Sequence, residues 1–328
     1  MSALAADSGA GAGPSVVIGI DIGGTGSRFV AFDPTTHLVL ARTARPTPAE
    51  GSPAEVLSFL RSQIERVAKG RRPAAIGIGA SGPIDRDGII QNPDTLAAFT
   101  GWPLIDGIAD LTDGSIVIDN DAVCAALAEQ LLGAARESPR SLHVTLGTGI
   151  GVCLLDGDRP FRNADGTHPE GGHMAVGMAT PPCYCGRPAC WEQAASRRTL
   201  QRSAAELLGR AASDAAVIDD AADLARRGDN DARDLFATYG RAVADGLATL
   251  VTLYGPNMVV LGGSAAAYLP YYQDAIQSTM AQLGRWVPTV NIVATELNDY
   301  GGAIGGARCA TLAGLPNTGS LLTVGHES

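Results

Sequence analysis

The sequence predicts an α/β protein of two lobes, on three observations. Short β-branched runs alternate with helical patterns along the chain. A strand, a glycine turn and a returning strand near the start are echoed about 125 residues later, as expected of two related halves facing one cleft. At 328 residues there is chain enough for two separate cores.

Taken in order, residues 15–21 read as a buried strand, Gly23-Gly24-Thr25-Gly26-Ser27 as a tight turn, and 28–32 as the returning strand. Ser52 opens a helix as its N-cap, with Pro53 at the first position and Glu55 placed to complete a capping box. Leu57, Leu60, Ile64 and Val67 give that helix one apolar face, and Gly70 ends it. Residues 74–80 and 115–118 read as further buried strands, and Asn120-Asp121 introduces a helix over 122–132. The second strand pair, 141–146 and 151–155, surrounds Gly147-Thr148-Gly149. A long amphipathic helix over 236–254 stops at Gly255-Pro256. A strand over 257–261 then feeds Gly262-Gly263-Ser264, and a small-residue helix over 302–312 closes the chain.

Composition is that of a globular protein, 45% hydrophobic and 18% charged. A net charge of -10 argues against nucleic acid or an acidic membrane surface as a partner. It also denies an anionic substrate any global steering, so local backbone donors and a metal ion would have to hold a phosphate. No apolar run approaches the ~20 residues of a membrane span. Residues 1–14 have neither the basic start nor the apolar stretch of a signal peptide and are expected to be a disordered tail, as are 316–328. Cys124, Cys153 and Cys309 lie in apolar sequence, as buried thiols do, and a cytosolic location follows.

Within 18 residues, His173, Cys183, Cys185 and Cys190 supply four soft or borderline donors, the set a closed tetrahedral zinc site needs. Four protein ligands leave no position for water, which makes the metal structural. The alternative is a disulfide beside an unrelated histidine, but nothing else in the chain points to an oxidising compartment. Elsewhere, Asp21 precedes a glycine turn whose backbone N–H groups can cradle phosphate while the carboxylate recruits Mg²⁺. Asp121 stands at a helix entry. By itself it reads more readily as a helix cap than as a general base. Trp102 and Trp191 could pack the face of a ligand, but core packing is the commoner role. His37, His143 and His326 read as structural or surface residues.

Together these runs resemble the ROK family (repressors, open reading frames and sugar kinases). Glu170-Gly-Gly-His173, nine residues, then Cys183-x-Cys185-Gly-x-x-Ala189-Cys190-x-Glu192 matches the family signature except at Ala189, where glycine is usual. Asp21-x-Gly23-Gly24-Thr25 and Asn120-Asp121-Ala122 fall in the family's order, and the likeness covers about Gly19 to Leu312. The resemblance implies the two-domain actin-like ATPase fold of hexokinase type. It places a small domain at 15–118 with a last helix at about 302–315, and a large domain at 119–300 that carries the zinc loop 170–192.

It further implies phosphorylation of the 6-hydroxyl of a glucose-like hexose by Mg²⁺-ATP, in a homodimer, with Asp121 as the base. Ser81, Asn92, Asn120, Asp121, Glu170, His173 and Glu192 would hold the sugar, with the second ring nitrogen of His173 on a hydroxyl. Asp21, Gly23, Gly24, Thr25, Gly147, Thr148, Gly149, Gly262 and Gly263 would hold ATP and Mg²⁺. Two departures stand out. Gly26 occupies the position where the family usually has lysine, and Arg28 would restore the cation if its strand begins early enough. The 92–102 stretch is longer than the family's compact spacing.

Other readings stay open. An amino sugar such as kanosamine is one, given an Ala- and Gly-rich, lysine-poor composition typical of GC-rich actinobacteria, where such kinases also serve antibiotic pathways. Fructose or mannose is another, since His168-Pro169-Glu170 resembles the family's fructokinases. The donor could be polyphosphate, or the protein a non-catalytic sugar sensor. Family repressors carry an N-terminal winged helix-turn-helix. Only 20 residues precede Asp21 and they hold no basic patch, so DNA binding is not expected.

Overall fold

The computed structural model describes residues 15–177, 180–297 and 299–314; both expected tails, and His326 with them, lie outside these residues. The chain runs β1 (Val17–Ile22), β2 (Gly26–Asp33), β3 (Leu38–Pro46), α1 (Pro53–Ala68), β4 (Ala75–Ala80), β5 (Ile116–Asn120) and α2 (Asp121–Leu132). It continues with β6 (Arg140–Leu146), β7 (Ile150–Asp156), β8 (Arg159–Pro160), α3 (Trp191–Ala195), α4 (Arg197–Leu208), α5 (Val217–Arg227) and α6 (Asn230–Tyr254). β9 (Met258–Gly262), α7 (Leu269–Gln282), β10 (Asn291–Ala294) and α8 (Gly301–Ala313) complete it.

Two five-stranded sheets form, in the orders β3-β2-β1-β4-β5 and β10-β9-β6-β7-β8. β1 pairs antiparallel with β2 and parallel with β4. β6 likewise pairs antiparallel with β7 and parallel with β9. The second sheet thus repeats the first strand for strand, and the echoed glycine turns occupy equivalent places in the two halves. Each sheet has its own apolar core: Ile18, Ile20, Phe29, Ile76 and Ile78 under α1, and Leu142, Val144, Val259, Phe236 and Leu247 under the α6 side.

The helix that follows each sheet packs on the other one. α2 leaves β5 and lies on the second sheet, where a Cβ on Gly151 would fall 2.7 Å from that of Ala122. α8 leaves β10 and lies on the first, where a Cβ on Gly19 or Gly77 would collide with the carbonyl oxygens of Ala303 and Gly306. The two helices meet where a Cβ on Gly305 would strike the Cys124 carbonyl, and the buried thiols of Cys124 and Cys309 sit 3.7 Å apart. Cys153 is buried as well.

α1 forms as its sequence directs. Ser52 Oγ accepts from Glu55 N–H at 3.3 Å, and Glu55 Oε2 accepts from Ser52 N–H at 2.7 Å. Val56 joins Leu60, Ile64 and Val67 on the fully buried face, while Leu57 is only partly covered. Lys69, at φ 52, takes the left-handed C-cap one residue before Gly70. α6 begins earlier than its apolar pattern, because Asp229 caps it through Ala232 N–H. Among the described residues no helix is long and apolar enough to cross a membrane.

Candidate active site

The two glycine turns join equivalent antiparallel strand pairs in the two sheets. Asp21 is the last residue but one of β1, and Gly23 N–H closes the first turn onto Gly26 O at 3.2 Å. Thr47 braces that turn by donating its hydroxyl to Gly23 O at 2.6 Å. β2 begins at Gly26, early enough to place Arg28 directly across from Asp21. The Arg28 guanidinium lies 3.9 Å from the carboxylates of both Asp21 and Asp299. In the second turn Gly147 N–H bonds Gly149 O at 3.0 Å, and Arg197 N–H bonds Gly147 O at 2.9 Å. Gly263, at φ +75, backs onto the main chain of Leu146, which sets the third glycine cluster beside the second turn.

The long stretch 92–102 does reach the site. Asn92 Nδ2 donates to Ser81 O at 3.0 Å, and Thr95 packs so close to Gly24 that no Cβ would fit there. Trp102 instead donates to Ala98 O at 2.9 Å, while the fully buried Trp191 donates to Ala242 O at 2.9 Å; both indoles are spent on packing.

At the start of α2, Asn120 does the capping. Its Oδ1 accepts from Ala122 N–H at 2.8 Å and its Nδ2 donates to Gly82 O at 3.0 Å. That leaves the Asp121 carboxylate free of cap duty and half-buried in the cleft. Burial first, then the neighbouring charges of Asp21 and Glu170, raise it from an ordinary 3.8 to about 7. Burial also lifts Asp21 to about 6, with Arg28 opposing, and lifts Glu170 to about 6 with help from Glu192. Asp21, Asp121, Glu170 and Glu192 are therefore near neighbours. Glu192 is buried and held by Ile150 N–H at 3.1 Å, with Gly149 packed against its carboxylate.

His173, Cys183, Cys185 and Cys190 converge so that their ligand atoms all lie within 4.8 Å of one another. Cys183 Sγ is 3.5 Å from His173 Nδ1, and Cys185 Sγ is 3.5 Å from Cys190 Sγ. A tetrahedron with metal–sulfur bonds of 2.3 Å has edges of about 3.8 Å, so the two short pairs are already at zinc-ligand spacing and the wider ones would draw in by up to about 1 Å on a metal. The other ring nitrogen of His173 meets the Tyr184 hydroxyl at 3.2 Å.

Ala189 sits in this loop at φ 56, in the left-handed region that favours glycine. That region costs a side-chain-bearing residue about 1–2 kcal/mol, against an unfolded-state entropy advantage of about 0.4–1 kcal/mol. Ala189→Gly is therefore expected to raise stability by about 0.5–1 kcal/mol in a urea melt and to leave metal content unchanged.

One constellation is not singled out by the sequence. Asp119, 1% exposed at the end of β5, is held by a bidentate ion pair from Arg162, whose side chain is 11% exposed and follows β8. Asp119 Oδ1 also accepts from Asn120 N–H at 2.7 Å. The pair joins the strand that delivers Asn120 and Asp121 to the loop that delivers Glu170. His168 is buried beside it, with Nδ1 unpartnered, and burial holds its pKa down at about 4.

Residues 17–312 match the ROK family, and the chain belongs to that family. It is 28% identical over 314 residues to the glucokinase of Streptomyces coelicolor, covering 90% of this chain and 97% of that one. It is 29% identical over 307 residues to an N-acetylgalactosamine kinase of a Shewanella species, covering 90% and 96%. A solved ROK glucokinase from Streptomyces griseus, in complex with glucose and AMPPNP, superposes with a TM-score of 0.75 at 28% identity, covering 90% of this chain and 99% of that one. The two repeated sheets are the two halves of the actin-like ATPase fold shared by the family's hexokinases.

Proposed function

We propose that the chain, a hexose kinase of the ROK family, transfers the γ-phosphoryl group of ATP to the 6-hydroxyl of a glucose-like hexose, with Asp121 as general base. The observation that carries this reading is the half-buried Asp121 carboxylate, relieved of capping by Asn120 and set among Asp21, Glu170 and Glu192 between two glycine turns. Phosphoryl transfer requires an acceptor for the hydroxyl proton and an in-line approach to phosphorus, with charge neutralised at the phosphates. In this reading Gly23 and Gly147 close the two turns through their own N–H groups, and the N–H groups of Gly24, Thr25, Thr148 and Gly149 hold the phosphates. Asn120, Glu170, His173 and Glu192 orient the sugar, and Ser81 with Asn92 closes the pocket. Mg²⁺, recruited by Asp21, would supply charge neutralisation at the phosphates. The domains are taken as 15–118 with α8, and 119–300, working as a homodimer in the cytosol, where the cluster thiols stay reduced.

An amino sugar is the second reading, because an ammonium would pair with the Glu170 and Glu192 carboxylates. ADP release with Mg²⁺-ATP against glucose, mannose, fructose, N-acetylglucosamine and kanosamine separates these substrates. Turnover of none would overturn the kinase assignment, unless polyphosphate restored it as donor.

Since a base must be unprotonated, kcat/KM is expected to fall about tenfold per pH unit on the acid side of a limb near pH 7, the value to which the Asp121 carboxyl is raised. Activity that stays flat down to about pH 5 would remove Asp121 from this role. The same shift has a folding counterpart. A carboxyl raised from 3.8 to about 7 binds its proton more tightly in the folded chain, so its contribution stabilises below 3.8 and is lost as pH rises to 7.

Zinc in the cluster would act by bracing the loop between Glu170 and Glu192. Stripping it with a strong chelator is expected to raise the sugar KM about tenfold, roughly 1.4 kcal/mol, with one zinc released per chain by metal analysis.

A further inference from the structure

We infer that Tyr184 is a plug of the sugar subsite: its phenol holds the place of a substrate hydroxyl on His173, and the incoming sugar displaces it. For the identity of the ligand this rests on the sugar-kinase reading. The geometry begins with the two nitrogens of His173. Nδ1 faces Cys183 Sγ at 3.5 Å and would be the nitrogen on the metal, which leaves Nε2 for a ligand. Nε2 meets the Tyr184 oxygen at 3.2 Å, with the phenol ring edge-on to the imidazole, centroids 5.2 Å apart at 87°. The phenol thus occupies a hydrogen-bonding position on the imidazole that a sugar hydroxyl would take at the same place.

Tyr184 is also built to leave. Its backbone is fixed between two members of the cluster, Cys183 and Cys185, yet the residue is 65% exposed and no core packing retains it. Rotation about its side-chain torsions frees the subsite without disturbing the loop. Until it moves, the phenol competes with substrate for His173. Removing the hydroxyl should therefore tighten sugar binding.

The test is calorimetric titration of glucose, mannose and kanosamine into the zinc-loaded protein without ATP, comparing the wild type with Tyr184→Phe and Tyr184→Ala. Loss of one competing hydrogen bond predicts a Kd about 2- to 10-fold lower in Tyr184→Phe, and a Kd at least as low in Tyr184→Ala. Zinc content per chain, measured on the same samples, should not change. An unaltered Kd in Tyr184→Phe overturns the proposal, and a raised Kd overturns it in favour of a direct sugar contact. The titration involves no phosphoryl transfer. A tighter Kd with no turnover would thus sink the kinase reading and support the plug, and an unaltered Kd with turnover would do the reverse.

Discussion

Asp121→Asn is expected to lower kcat by about 10²–10⁴-fold while leaving the sugar KM within a few-fold. Asparagine keeps the shape of the side chain and its hydrogen-bonding reach but cannot accept a proton at neutral pH. The helix itself should not suffer, because the cap of α2 is Asn120, bonded to Ala122 N–H and to Gly82 O. The exchange also removes a carboxylate crowded by Asp21 and Glu170, so stability should hold or rise. Steady-state kinetics with the preferred sugar, beside a thermal melt, decides the matter. A fall confined to KM would make Asp121 a binding residue, and an undiminished kcat would remove it from the chemistry altogether.

Arg162→Met is expected to cost about 3–5 kcal/mol, among the largest single losses the fold can show, because Asp119 would be left charged and buried with no cation. Asp119 is 1% exposed, and Asn120 N–H is its other hydrogen-bond donor. The double variant Asp119→Leu/Arg162→Met should recover most of that loss, since an apolar pair of similar volume often matches a buried ion pair. Urea unfolding of both variants gives the comparison. A single variant within 1 kcal/mol of wild type would mean that water reaches Asp119, and the pair would then be no more than a surface contact. In the double variant activity should fall even as stability returns, because nothing would tie the Asn120-Asp121 strand end to the Glu170 loop.

Much of the fold is legible in the sequence because its signals are local. β1, β4 and β6 are apolar runs buried on both faces, and α1 announces itself through Ser52, Pro53 and Glu55. β3 is not legible: it is an exposed edge strand on which Leu38 and Val39 face outward, so apolar and polar residues do not alternate as in a half-buried strand. α5 hides for another reason. Its buried stripe is built largely from Ala221, Ala222 and Ala225, whose small side chains give the periodicity little contrast. In the site, the metal cluster is readable because its four members are close in sequence. The Asp119–Arg162 pair joins residues 43 apart through tertiary packing, which spacing cannot reveal. Tyr184 reads only as a spacer between two cysteines. Its place beside His173 comes from how the loop turns around the cluster, and no pattern in the chain encodes that turn.

The exchange of α2 and α8 between the sheets has a consequence for biosynthesis. β1 and β4 present Gly19 and Gly77 to a helix made almost last, α8 at Gly301–Ala313. When β5 leaves the ribosome at Asn120, one face of the first sheet has no cover, and at about 5–20 residues per second α8 follows roughly 10–40 s later. The amino-terminal half thus cannot finish folding during translation, and a nascent chain stalled anywhere before Gly301 should stay protease-sensitive and a client for chaperones.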